Sequence, residues 1–142
     1  MIEAKEDFNN TWPFKANFFS GNGFKQHYVD EGKENKKVIL CLHGEPTWGY
    51  IYRHFIKELS KNFRVVVPDL MGFGKSETPK NKEYSLKTHV ENLENLVNYL
   101  ELKNIYFVGQ DWGGPILGAY TLRNLTNTKG CLLYTSDAAD EL

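Results

Sequence analysis

The sequence predicts an α/β protein: a mostly parallel sheet with helices on both faces and a β-hairpin at its start. Three observations carry the prediction. Short apolar runs of strand length alternate with longer segments of helical periodicity. The connections between them are short, as in βαβ units. Two unusual turn motifs, HGEPTW and GQDWGG, both follow such runs, and the carboxyl ends of parallel strands are where sheets of this class hold ligands.

The elements follow in order. Residues 1–13 are polar with scattered aromatics and contain TWP, which suits an arm lying over the surface. FKANFF and FKQHYVDE flank the bend SGNG, the mark of a hairpin. VILCLHG is a continuous apolar strand, β-branched at its start, as expected of a strand covered on both faces. YIYRHFIKELSKN places Ile51, Phe55 and Leu59 at a spacing of four, predicting a helix with that apolar stripe. FRVVVPDL returns to strand and stops at Pro68. LKTHVENLENLVNYLEL repeats apolar residues at Leu86, Val90, Leu93, Leu96, Val97 and Leu100, a second amphipathic helix with Ser85 as its cap. NIYFVG is the next buried strand, and GGPILGAYTLRN a small-residue helix with Pro115 in its first turn. GCLLYT has the character of a further strand.

Composition narrows the function. The chain has 142 residues, 41% of them apolar and 14% aromatic, enough for one globular core. With a net charge of -1 there is no basic field to hold nucleic acid or an anionic membrane. No apolar run approaches the length of a membrane span, and the start has no signal pattern, so a cytoplasmic protein is expected. Cys41 and Cys131 show no metal spacing and fit a reducing compartment, so neither a disulfide, a metal nor a cofactor is expected.

Gly109-Gln110-Asp111-Trp112-Gly113 fits the strand-to-helix nucleophile elbow, with aspartate where serine commonly stands. Such a turn pushes the central side chain out above the sheet, and the flanking glycines let the backbone pass. The competing role for an acid here is to cap the helix that follows. His43-Gly44-Glu45-Pro46 ends the preceding apolar strand, where hydrolases of this sheet type offer a backbone N–H to an oxyanion. In DLMGFGKSETP the full phosphate-binding glycine pattern is missing, so Asp69, Gly72 and Gly74 are assigned to loop architecture. His27, His54 and His89 stand singly on a hairpin and two helices and are expected at the surface, while His43 is expected to brace its loop.

On LCLHGEPTWGYIYR, PDLMGFGKSETP and VGQDWGG together, the chain resembles the haloalkane dehalogenase branch of the α/β-hydrolase family over roughly residues 12–125. The resemblance implies Asp111 as nucleophile, the backbone amides of Glu45 and Trp112 as an oxyanion hole, and the Trp112 indole as a halide donor. Gly44, Pro46, Gly109 and Gly113 are implied as loop and elbow architecture. A carboxylate suits displacement at saturated carbon: a serine would leave an inert ether, whereas an aspartate leaves an ester that water can cleave. The implied partners are a small haloalkane, halide and water, with a monomer as the full-length state. Epoxide hydrolases of the same fold also attack saturated carbon with a carboxylate. By resemblance, they usually carry an aromatic at the position of Glu45 and an arginine at that of Met71, so Glu45, Thr47 and Met71 favour the dehalogenase.

The family pattern also calls for an acid and a histidine after the nucleophile, and none of the histidines follows Asp111. Residues 1–125 are therefore expected to be the amino-terminal part of a hydrolase core, with cap and last strands outside it. Residues 126–142 depart from the family, and Asp137 and Asp140 are given no catalytic role. A catalytically inert binding scaffold is the non-enzyme alternative.

Overall fold

The computed structural model describes residues 1–134; Asp137 and Asp140 lie outside the described residues. Strands β1 (Asn17–Phe19) and β2 (Gln26–Glu31) form the expected hairpin. Then come β3 (Val38–Leu42), a 3-10 turn at Gly49–Tyr52 leading into α1 (Arg53–Leu59), and β4 (Arg64–Pro68). They are followed by α2 (Leu86–Tyr99), β5 (Ile105–Gln110), α3 (Gly113–Arg123) and β6 (Thr128–Tyr134). The strand order is β1-β2-β4-β3-β5-β6. β3 runs parallel to β4 and β5, β5 parallel to β6, and the hairpin joins antiparallel through β2 and β4.

The apolar runs are continuous because both faces of the sheet are covered. Val38, Leu40 and Leu42 of β3 join Ile105 and Phe107 of β5 beneath α2 and α3. The alternate residues Ile39 and Cys41 pack with Val65 and Val67 of β4 against Tyr52, Ile56 and Trp12 on the opposite face. Residues 128–134, set in the departing tail by the sequence reading, run as β6 beside β5.

Two expectations change here. The arm is more than a surface covering, because Trp12 is buried in the α1-side core. The buried Lys75 ties the arm down, its ammonium donating to Ala4 O (2.9 Å) and Glu6 O (2.6 Å). The inward stripe of the first helical segment is Tyr52 and Ile56, one residue out of phase with Ile51 and Phe55, and Phe55 is exposed. Tyr52 turns inward because its hydroxyl finds an acceptor there, Leu42 O at 2.9 Å.

α2 keeps its predicted face at Val90, Leu93, Leu96 and Val97, all buried, while Leu86 in its first turn is exposed. Ser85 caps it, its hydroxyl accepting from the Thr88 N–H at 3.3 Å. Ser85→Ala is expected to lower unfolding stability by about 1 kcal/mol, read as a shift in the urea midpoint.

Candidate active site

The chain reverses direction within two residues between β5 and α3. Asp111 stands at that reversal with φ of 52°, a left-handed conformation uncommon for a residue bearing a Cβ. Both of its peptide groups are tied: its N–H donates to Tyr134 O (3.0 Å), and its carbonyl accepts from Gly114 N (2.8 Å). The neighbouring backbones approach too closely for side chains. A Cβ on Gly113 would lie 2.2 Å from Leu42 O, and one on Gly44 would lie 2.4 Å from Trp112 N and 2.5 Å from Asp111 Oδ1. At Gly109 the nearest atom would be Leu117 Cδ1, at 2.8 Å.

The Asp111 carboxylate does not cap its helix. α3 has Trp112 at its N-cap and no side-chain cap hydrogen bond. Instead Oδ1 accepts from the Glu45 N–H across the rim at 3.0 Å, and among the described residues Oδ2 has no hydrogen-bond partner. The acid is therefore oriented through one oxygen, and the other is left free of hydrogen bonds among the described residues.

The 43–47 loop is fastened to the elbow. Gln110 Oε1 accepts from Gly44 N at 3.2 Å, and Thr47 Oγ1 donates to Gly44 O at 2.8 Å. The Glu45–Pro46 peptide is cis. His43 braces the loop as expected. Its Nε2 accepts from Leu70 N (2.9 Å), so its Nδ1 carries the proton and donates to Gly44 O (2.9 Å).

Burial holds the His43 imidazole below its ordinary pKa. The unfolded chain takes up a proton below about pH 6.5 that the folded chain excludes, so this contribution is complete above that pH and lost as pH falls. Unfolding stability is expected to fall by at most about 1 kcal/mol between about pH 6.5 and 5.5 through this group, and His43→Gln should reduce the dependence, leaving the part that the His89 imidazole, also held low by burial, contributes. Urea midpoints across that range provide the measurement.

Asp69 organises the loops beneath. Its Oδ1 accepts from Gly49 N, just beyond the 43–47 loop, at 2.8 Å. Its Oδ2 lies 2.8 Å from both Lys75 N and His27 Nδ1. Gly74, with φ of 54°, passes so close that a Cβ there would sit 2.3 Å from Asp69 Oδ2. Loop architecture is thus the correct description of Asp69. His27 is corrected: expected at the surface, it is wholly buried against this carboxylate. His54 is exposed as expected.

A cavity of about 290 Å³ opens beside the elbow. Glu45 and Trp112 line its elbow side, Leu70, Phe73 and Ile116 its apolar wall, and His89 of α2 faces it as well. Trp112 is half exposed. The surface position expected for His89 is a second correction. A signal for it existed, because His89 lies four residues before Leu93 and next to Val90, at the edge of the inward stripe of α2. Among the described residues, no cluster of three or more His, Cys, Asp or Glu is placed to hold a metal ion, and no helix is long and apolar enough to cross a membrane.

The sheet order, the elbow and the facing loop define an α/β-hydrolase core. A family model for the alpha/beta hydrolase fold matches residues 37–140, and the chain belongs to that family. Within it, the chain is similar to haloalkane dehalogenase 2 of Mycobacterium tuberculosis, 38% identical over 122 residues that cover 86% of this chain and 42% of that protein. Its structure is similar to the haloalkane dehalogenase DpaA from Paraglaciecola agarilytica NO2, described as tetrameric. That match has a TM-score of 0.83 at 36% identity, over 90% of this chain and 46% of the other. The epoxide hydrolase CorEH is matched at a TM-score of 0.78 and 28% identity, over 84% of this chain and 41% of that one. The chain spans less than half the length of each of these proteins. The resemblance drawn from the motifs therefore holds for fold and family.

Proposed function

We propose that the chain carries the nucleophilic site of a haloalkane dehalogenase. One observation carries the reading: Asp111 is held at a left-handed elbow with Oδ1 on the Glu45 N–H and Oδ2 without a hydrogen-bond partner among the described residues. Oδ2 attacks the halogen-bearing carbon from the side opposite the halogen. An oxygen–carbon bond forms as the carbon–halogen bond breaks, and the electron pair leaves with the halide. The halide needs donors to replace its water, and the Trp112 indole supplies an N–H without a competing acceptor. Oδ1, now the ester carbonyl, stays on the amide of Glu45, and the Trp112 amide is assigned as the second donor. The two amides stabilise the charge that develops when water attacks that carbonyl.

Similarity to an epoxide hydrolase keeps epoxide opening as the second reading. An alkoxide must be protonated as it leaves, which a halide need not be. Among the described residues the cavity is lined by one phenol, Tyr84, whose hydroxyl is committed to Pro79 O at 3.1 Å, and this favours the halide. A monomeric, cytoplasmic protein belongs to the same proposal; elution from a sizing column as a tetramer would remove the first of these two attributes.

Within these 142 residues no histidine follows Asp111 to activate the water that attacks the ester, so a covalent ester should accumulate on this chain. Incubation with 1,2-dibromoethane should release about one equivalent of bromide per chain and then stop. The assay uses a Cys131→Ser background, because that exposed thiol would itself be alkylated. Absence of bromide release overturns the proposal.

A further inference from the structure

His89 faces the cavity, yet nothing in the nucleophilic step uses it. Its two ring nitrogens are unlike. Among the described residues Nδ1 is sealed from solvent and has no hydrogen-bond partner, while Nε2 is not sealed in this way. A proton on Nδ1 would be a buried donor without an acceptor, which is costly, whereas a bare Nδ1 loses only an acceptor. The neutral ring therefore keeps its proton on Nε2. Protonating both nitrogens would bury the same unmatched N–H together with a charge. Desolvation, with His43 as the lesser cause, also holds the His89 imidazole below its ordinary pKa.

We propose that His89 is a fixed neutral donor that points its Nε2–H into the cavity as a second hydrogen bond to the leaving halide, alongside Trp112. The inference rests on the proposed displacement at Asp111. It adds a specificity: the cavity takes leaving groups that depart as stable anions. A neutral imidazole donates a hydrogen bond readily, but it is a far weaker acid than a phenol or an imidazolium, so it gives little general-acid help to a developing alkoxide. His89 thus favours halides over epoxide oxygens. Nor does it act as a base toward Oδ2 or water from Nε2, because that nitrogen already carries a hydrogen. The carbon–halogen electron pair leaves with the halide, and no proton moves.

Bromide binding to the unreacted chain tests this without relying on Asp111 chemistry. Titration by tryptophan fluorescence is expected to show binding weakened about five- to tenfold in His89→Phe, which keeps a ring but lacks the donor. His89→Gln, whose amide N–H can stand near Nε2, should stay within about twofold of the parent. Parent-like binding by His89→Phe, equal weakening by both variants with unchanged circular dichroism, or no bromide binding by the parent would each overturn the proposal. Nitrogen-15 NMR of the unmodified chain provides a readout that needs no variant. The His89 ring should show the Nε2–H tautomer, and bromide should shift Nε2 more than Nδ1; an Nδ1–H tautomer overturns the assignment. If bromide binds as described but no ester forms on Asp111, the displacement reading fails and the donor assignment stands.

Discussion

Asp111→Asn is expected to cut bromide release from 1,2-dibromoethane by about 10³-fold or more, because the attacking carboxylate oxygen is replaced by an amide nitrogen with no anionic lone pair. The substitution isolates chemistry from folding. Asparagine tolerates a φ of 52° as well as aspartate does, and its carbonyl oxygen can still accept from the Glu45 N–H now 3.0 Å from Oδ1. The urea midpoint should therefore stay close to that of the parent while release disappears. Equal release by the two proteins would remove Asp111 from the nucleophile role. Joint loss of release and stability would show that the elbow needs the charge for its fold.

Gly113→Ala should have the largest effect on stability, a loss of more than about 3 kcal/mol or failure to fold. The cause is the approach of two backbones. The added methyl would meet Leu42 O at 2.2 Å and His43 O at 2.9 Å, atoms fixed in and just beyond the central strand, so no flexible side chain can move aside. Relief requires α3 to lift from β3, which also displaces Asp111 and the Trp112 amide. Gly118→Ala, on the same helix with nothing within 4 Å of the new Cβ, should instead be neutral or stabilising by up to about 1 kcal/mol. Chemical denaturation of the two variants against the parent measures the contrast; equal effects would mean that the close packing of α3 on β3 does not hold the elbow.

Much of this was legible because the deciding interactions are local or periodic. The alternation of β3 between two cores follows from an uninterrupted apolar run, and the Ser85 cap follows from a hydroxyl set before a periodic stripe. The elbow was legible because Asp111 stands between Gly109 and Gly113 where the apolar run of β5 gives way to α3. What stayed hidden depends on partners distant in sequence. His27 is buried because Asp69, 42 residues away, holds it, and no local pattern announces that pairing. Lys75 is buried because the carbonyls of Ala4 and Glu6 meet it. The phase of the first helical segment was missed for a subtler reason. Tyr50, Ile51, Tyr52 and Phe55 offer two overlapping stripes of similar apolarity, and the hydroxyl acceptor on Leu42 decides between them.

A bond from Asp111 Oδ2 to the substrate carbon is the expected product, and peptide mapping reads that bond directly. After incubation of the Cys131→Ser chain with 1-bromobutane, proteolysis and tandem mass spectrometry should locate a butyl ester on the Asp111 carboxylate. An unmodified Asp111 peptide, with butyl found on another residue or on none while bromide is released, would contradict the account.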